Sequence, residues 1–366
     1  MGRRREPARS GLHGLVLLRR QEPKAQGQFA AALGSCLRRS TGFILSAQAS
    51  LLAAGALTLG GCAATGQAPP PAEAAAPDPG HQARTEATRT VAMAFLDRYF
   101  IQHDFGAYAA FARPDFIQHN PNIANGVAGH RAYFDRLRAA PKPDPAPPPQ
   151  AHVIDMVLVD GDLFAVMHHG VNADGKARLF VDLWRVEDSK IVEHWDVIQD
   201  IPATMPHGNG MACGIETYAA AIARPDSVEQ PACGRPDPRV TREDSLRQYR
   251  DYVVEVGQGD VLGAIERWFH PAYRQHSPII ADGKQGAIDY LKAEWGRPDA
   301  PMPVLGPQRI VADGDYVLVH YLYSVPGVEG QEAHIDIFRF TDGKISEHWD
   351  VKQPVPATSA NGNGMW

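Results

Sequence analysis

The sequence predicts an α+β protein built from two tandem copies of one domain, each with helices first and a run of antiparallel strands after them. Three observations carry this. The segment KIVEHWDVIQDIPAT from Lys190 returns almost unchanged as KISEHWDVKQPVPAT from Lys344. Upstream, FARPDFIQHNPNIANGVAGHRAYFDRL from Phe111 lines up with WFHPAYRQHSPIIADGKQGAIDYLKAE from Trp268, sharing Pro114/Pro271, Gln118/Gln275, His119/His276, Gly126/Gly283, Gly129/Gly286 and Tyr133/Tyr290. Within each copy the apolar spacing switches from helical to extended at matching places.

The elements follow in order. Val91, Phe95 and Tyr99, with Ala92, Leu96 and Phe100, form a helical stripe, answered by Leu246, Tyr249, Val253 and Val256. A short second helix follows Asp104 in one copy and Gly259 in the other, and a third covers 129–137 and 286–294. β-branched and aromatic runs at 154–159, 164–171, 177–186 and 191–197 read as strands, separated by turns at Asp160-Gly161-Asp162 and Glu187-Asp188.

The first sixty residues differ in kind. Arg and Lys crowd positions 3–39, then an apolar, Ala/Ser-rich run from Phe43 ends at Leu59-Gly60-Gly61-Cys62. Residues 1–61 are predicted to be a signal peptide with a long basic n-region. Leu59–Cys62 resembles a bacterial lipobox, which makes Cys62 the lipidation site of an exported, membrane-anchored lipoprotein; an ordinary signal peptide is the alternative. The Pro/Ala-rich stretch 62–85 reads as a tether, leaving domain 1 at 86–212, a linker at 213–237 and domain 2 at 238–366. Cys213 and Cys233 bound the linker, and an even pair in an exported chain reads as a disulfide. Neither has a second ligand at zinc-finger spacing.

With 36 basic and 42 acidic residues and no basic stripe, nucleic acid is not the expected partner. No P-loop, dinucleotide fingerprint or nucleophile elbow stands at a credible place. What remains is acid/base chemistry. Asp182 shares a strand face with Phe180 and Trp184, and Asp336 shares one with His334 and Phe338. A carboxylate among aromatics loses hydration, which raises its pKa unless donors satisfy it. His194 and Asp196 share one face of the last strand and Glu193 and Trp195 the other; His348 and Asp350 repeat this. Periodicity alone leaves open which face points inward. Gln118-His119 and Gln275-His276 offer neutral donors and acceptors suited to a carbonyl or hydroxyl. The histidines of the two copies do not all correspond: His168 is answered by Tyr321, as Asn120 is by Ser277. No shared metal site is therefore expected, although His119, His168, His194 and Asp196 would suffice for one ion in copy one.

The motif FIQHNP…NG…G, followed by D(L/I)(W/F)R(V/F)…KI…EHWDV, is similar to SnoaL-like proteins of the nuclear transport factor 2-like superfamily. It is most similar to the bacterial group described as predicted SnoaL-like aldol-condensation enzymes. The resemblance implies a cone-shaped domain whose curved antiparallel sheet wraps a pocket closed by about three helices. It also implies cofactor-free and metal-free chemistry, with an Asp as general acid/base: Asp196 and Asp350, or alternatively Asp182 and Asp336. His194 and His348, with His119 and His276, would orient or polarise a carbonyl. Gln118, Gln275, His168, Trp184 and Phe338 complete the expected substrate-binding set. The expected substrate is a small apolar carbonyl compound, and non-catalytic ligand binding at the cell envelope is the alternative. Domains of this fold commonly pair through the sheet, so the fused copies are expected to form an intramolecular pseudo-dimer. The membrane is a partner only through the lipid anchor.

Overall fold

A computed structural model describes residues 78–141, 152–171, 176–213, 227–295 and 303–366. The signal peptide, Cys62, most of the tether and the middle of the linker lie outside the described residues.

Each copy folds as helices followed by a five-stranded sheet. Helix α1 (Pro79–Leu96) begins inside the stretch expected to be tether: Asp78 caps it by accepting from Gly80 N at 2.9 Å, and Pro79 occupies its first turn. It buries Val91, Ala92, Phe95 and Leu96, then passes into a π-helical turn over 97–101 that carries Tyr99 and Phe100. There follow α2 (Ala107–Phe111), β1 (Ala112–Gln118), α3 (Gly126–Ala139), β2 (His152–Asp160), β3 (Leu163–Val171), β4 (Ala177–Glu187) and β5 (Lys190–Asp200). Domain 2 repeats the order with α4 (Arg242–Gly257), capped by Thr241, then α5 (Val261–Trp268), β6 (Phe269–Gln275), α6 (Gly283–Trp295), β7 (Val304–Asp313), β8 (Tyr316–Ser324), β9 (Glu332–Thr341) and β10 (Lys344–Pro354).

The strand orders are β1-β5-β4-β3-β2 and β6-β10-β9-β8-β7. β2 to β5 are antiparallel as expected, but β1 and β6 each join the sheet edge parallel to the final strand, so the sheets are mixed. These short strands, whose segment ARPDFIQ alternates poorly, were not legible as sheet members. Gly129 and Gly286 let the third helix close on the loop before it: a Cβ there would lie 2.3 Å from Ala124 O and 2.0 Å from Ala281 O.

Every sheet has two buried faces. The inner face packs on its own helices through Phe95, Tyr108, Phe164, Val166 and Trp184 in domain 1, and through Leu246, Tyr249, Ile265, Val319 and Phe338 in domain 2. The outer faces meet each other in one continuous core that includes Leu179, Val181, Trp195 and Val197 from one copy and Leu318, Ile335, Trp349 and Val351 from the other. Hydrogen bonds across this interface are reciprocal. Val159 N donates to Asp313 Oδ2 at 2.9 Å and its equivalent Ala312 N to Asp160 Oδ2 at 3.0 Å; Ile198 N donates to Gln353 Oε1 and Lys352 N to Gln199 Oε1, both at 2.8 Å. Equivalent groups bonding each other in both directions is the signature of a two-fold interface.

Cys213 and Cys233 form the expected disulfide, with Cα atoms 5.0 Å apart. No helix among the described residues is long and apolar enough to cross a membrane.

Trp195 sits at the centre of the shared core, stacked on His119 at 4.9 Å and covered by the Arg309 guanidinium at 4.0 Å. Its replacement by alanine is expected to lower stability by about 3–5 kcal/mol, as for other large core truncations. Urea unfolding measures this, and a loss below about 1 kcal/mol would contradict the packed interface.

Candidate active site

The last strand settles which side chains enter the domain. Because Trp195 and Trp349 are drawn into the shared core, strand alternation turns His194, Asp196, His348 and Asp350 inward. Asp182 on β4 lies directly opposite Asp196 on β5, and Asp336 directly opposite Asp350. The two carboxylates of each pair compete for the same donors, and the competition has a clear winner.

In domain 1, Asp182 accepts from His168 Nε2 at 2.7 Å and from His194 Nε2 at 2.9 Å. Burial opposes its ionisation, but the two imidazole hydrogen bonds outweigh burial and hold Asp182 below the usual carboxylate range. Asp196 receives one bond, from Asn120 Nδ2 to Oδ2 at 2.6 Å, and its buried Oδ1 has no hydrogen-bond partner. Burial and the neighbouring charge of Asp182 push Asp196 up to about 6, against the opposing influence of His194 and Asn120. Gln118 Oε1 accepts from Asn120 N at 2.8 Å, which fixes its amide, and faces His194 Nδ1 at 2.9 Å. Both ring nitrogens of His194 thus face acceptors, which fixes the orientation of the ring.

Aromatic rings enclose these groups. Trp184 stacks behind His194 at 5.0 Å, and Phe180 and Phe100 each lie 4.8 Å from His168. Tyr108 OH accepts from Trp184 Nε1 at 2.9 Å and so keeps its own hydrogen to donate. Burial raises the Tyr108 and Tyr99 hydroxyls well above the usual phenol range and pushes His130, whose ring lies 3.9 Å from that of Tyr108, down to about 3. Tyr99, Tyr108, His130 and Asn120 were not among the expected site residues. They sit on the helices and on the loop after β1, and only the fold brings them to the sheet.

Domain 2 keeps the frame and changes the chemistry. His348 bridges Asp336 Oδ1 at 3.1 Å and Gln275 Oε1 at 3.2 Å, with Phe338 4.9 Å from its ring. Tyr321 donates to Asp336 Oδ2 where His168 stands in domain 1. Asp350 Oδ1 is again without a partner, but Oδ2 pairs with Lys352 Nζ at 3.1 Å, where domain 1 has Ile198.

Two expected binding residues are elsewhere. His119 and His276 follow Gln118 and Gln275 by one residue and so face away from the site. They stack on Trp195 and Trp349 at 4.9 and 4.5 Å and face Glu193 and Glu347 at 2.8 and 3.3 Å. The four-ligand set of His119, His168, His194 and Asp196 is therefore not assembled. Asp182, His194 and Asp196 do place ligand atoms within 4.8 Å of one another, though His194 and Asp182 already bond each other there.

A family model for the SnoaL-like domain matches residues 92–194 and again 249–348, together more than half of the chain. The protein belongs to the SnoaL-like domain family. Both matches end on the site histidines, His194 and His348. Among solved structures, a SnoaL-like domain is similar to an NTF2-like protein of unknown function from Mesorhizobium loti, 22% identical over 34% of this chain and 97% of that one, TM-score 0.27. It is also similar to TsrD from Streptomyces laurentii (19% identical, covering 31% and 89%, TM-score 0.25) and to an NTF2-like protein from Burkholderia xenovorans LB400 (16%, 31% and 92%, 0.26). No curated protein matches the chain.

The raised Asp196 has a measurable consequence for stability. Its carboxyl holds a proton in the folded state to about pH 6, whereas an unfolded Asp releases it near pH 4. The folded state thus loses stability as pH rises from about 4 to 6. Relative to Asp196→Asn, wild type is expected to lose on the order of 2 kcal/mol across that interval in urea unfolding. Parallel stability curves for the two proteins would refute the shift.

Proposed function

We propose that the domain 1 site performs cofactor-free acid/base chemistry on a small, apolar, carbonyl-bearing molecule, of the aldol, isomerase or hydrolase type. The observation that carries this reading is the splitting of the Asp182/Asp196 pair. One carboxylate is held as an anion by two imidazoles, and the other is left with a bare, desolvated oxygen titrating near neutrality.

In the aldol form, Asp196 Oδ1 takes a proton from the carbon next to the substrate carbonyl, and the C–H electron pair becomes the enolate. The Tyr108 hydroxyl, whose oxygen accepts from Trp184 Nε1 and whose hydrogen is left over, would donate to the oxygen where that charge gathers. The enolate carbon then attacks a second carbonyl, and Asp196 returns its proton to the alkoxide. Asp182 does not exchange protons; it holds His168 and His194. Trp184, Phe180 and Phe100 supply the apolar wall.

Domain 2 favours the non-catalytic alternative, ligand binding without turnover, because Lys352 occupies the carboxylate that would act as base. We further propose that the chain is an exported lipoprotein anchored through Cys62, with its two domains as a fused pseudo-dimer; the Cys213–Cys233 disulfide is compatible with an oxidising compartment.

With a panel of β-keto and hydroxy-carbonyl substrates, Asp196→Asn is expected to lower turnover about 100- to 10,000-fold, and Asp350→Asn less than about twofold. Wild-type kcat/KM should climb with pH through about 6, as the base ionises, and then level off. A substrate turned over equally by wild type and Asp196→Asn would end the assignment. Cys62→Ser is expected to move the protein from the membrane fraction to the soluble fraction on cell fractionation, and unchanged retention would exclude the lipid anchor.

A further inference from the structure

The three residues that follow the body of β1 set the domain 1 site. Gln118 Oε1 orients His194, Asn120 Nδ2 bonds Asp196, and Gln118 Oε1 in turn accepts from Asn120 N. His119 N is the last backbone bond to the sheet, donating to His194 O at 2.9 Å. Beyond it, this segment is bonded by the other domain.

The contacts come from the tail that follows β10. Asn363 Nδ2 donates to Gln118 O at 2.9 Å and to Asn125 Oδ1 at 2.8 Å, while Asn125 Oδ1 also accepts from Gln118 N at 2.9 Å. Asn361 Nδ2 donates to Asn120 O at 2.7 Å and Ile123 O at 2.9 Å, and Ala360 N to Pro121 O at 2.7 Å. His119 Nδ1 donates to Gly364 O at 2.5 Å. The tail is itself organised, with Ser359 Oγ accepting from Asn361 N and Gly362 N, and Met365 is buried in the shared core.

The first domain does the same for the second. Asn209 Nδ2 donates to Gln275 O at 3.0 Å and to Asp282 Oδ1 at 2.7 Å, His276 Nδ1 donates to Gly210 O at 3.0 Å, and Met211 is buried as Met365 is. Both repeats therefore exchange their Gly-Asn-Gly-Met tails, and each site-bearing loop is fastened by the other copy.

We propose that Asn361 and Asn363, carried on the domain 2 tail, are positioning residues for the domain 1 site, acting through Gln118 and Asn120 on His194 and Asp196. They touch neither Asp182 nor Asp196; they hold the backbone from which the two contacting side chains project. The proposal builds on the site assigned above, and its test reads the site without turnover, so it can fail or succeed separately from the proposed reaction.

The test is carboxylate ¹³C NMR titration of Asp196 in the full chain. The titratable groups around Asp196 are His194 on its own strand, Asp182 on the neighbouring strand with His168 bonded to it, Tyr99 and Tyr108 on the first helices, Tyr133 on α3, and His119 on the far side of the loop. The N361A/N363A variant leaves all of these in place but frees Asn120, so Asp196 loses a donor and its midpoint should rise by about half a unit or more. Asn125→Asp should leave the midpoint where it is, because Asp282 fills that role in domain 2. Asn209→Ala should leave it unmoved while shifting the Asp350 and His348 signals. Should the double variant fail to fold, the single variants Asn361→Ala and Asn363→Ala are read instead, each with an upward shift expected. A folded variant whose midpoint stays within about 0.2 unit of wild type or falls, or an Asn209→Ala protein that moves Asp196 equally, overturns the proposal.

Discussion

The face-to-face stacking of the two sheets decides the orientation of everything else. In a strand, neighbours point to opposite sides, so Glu-His-Trp-Asp has only two possible placements. Burying Trp195 and Trp349 against the opposing sheet removes two of the largest apolar surfaces in the chain from water. That gain fixes the placement, and His194, Asp196, His348 and Asp350 turn inward as a geometric consequence. A domain folded alone would leave Trp195, Val181 and Leu179 exposed on an open sheet face, a patch of the kind that demands a partner. The second copy is that partner, covalently supplied.

Once inward, the charges sort themselves by donor supply. Opposing carboxylates at Asp182 and Asp196 cannot both be stabilised by the same imidazoles. His168 and His194 both bond Asp182, so Asp196 bears the desolvation with a single hydrogen bond, from Asn120, and the nearby His194 ring to offset it. The asymmetry lies in the partners, not in the carboxylates themselves, and it sets a carboxyl with a raised pKa beside a fixed anion. In domain 2 the same frame receives Tyr321 for His168, Ser277 for Asn120 and Lys352 for Ile198. The donor supply changes, and Asp350 acquires a cation of its own. The scaffold is the same in both copies, and these side chains change the donors around its carboxylates.

Reciprocity runs through the contacts between copies. The Asp160/Asp313 and Gln199/Gln353 bonds and the exchanged tails all connect equivalent positions in both directions. Such pairing is what a two-fold arrangement of identical chains produces, now written within one chain. It makes the loop that carries Gln118 and Asn120 a property of both domains.

The sequence by itself determined the duplication, the helices-then-strands order, the β2–β5 spans to within a few residues, the Cys213–Cys233 pair, and the sharing of one strand face by His194 and Asp196 and by His348 and Asp350. These are properties of local period and of repeated spelling, which need no knowledge of neighbours. Only tertiary structure decided the parallel seating of β1 and β6, because a short strand at a sheet edge carries little periodic signal. It also placed His119 and His276 away from the site, since one step along a strand reverses a side chain. Tyr99, Tyr108 and Asn120 joined the site from elements far from β5 in sequence, and the Asp182/Asp196 inequality arose from which donors the fold brought within reach. Hydrogen-bond supply depends on three-dimensional neighbours, and a linear pattern of residues does not contain it.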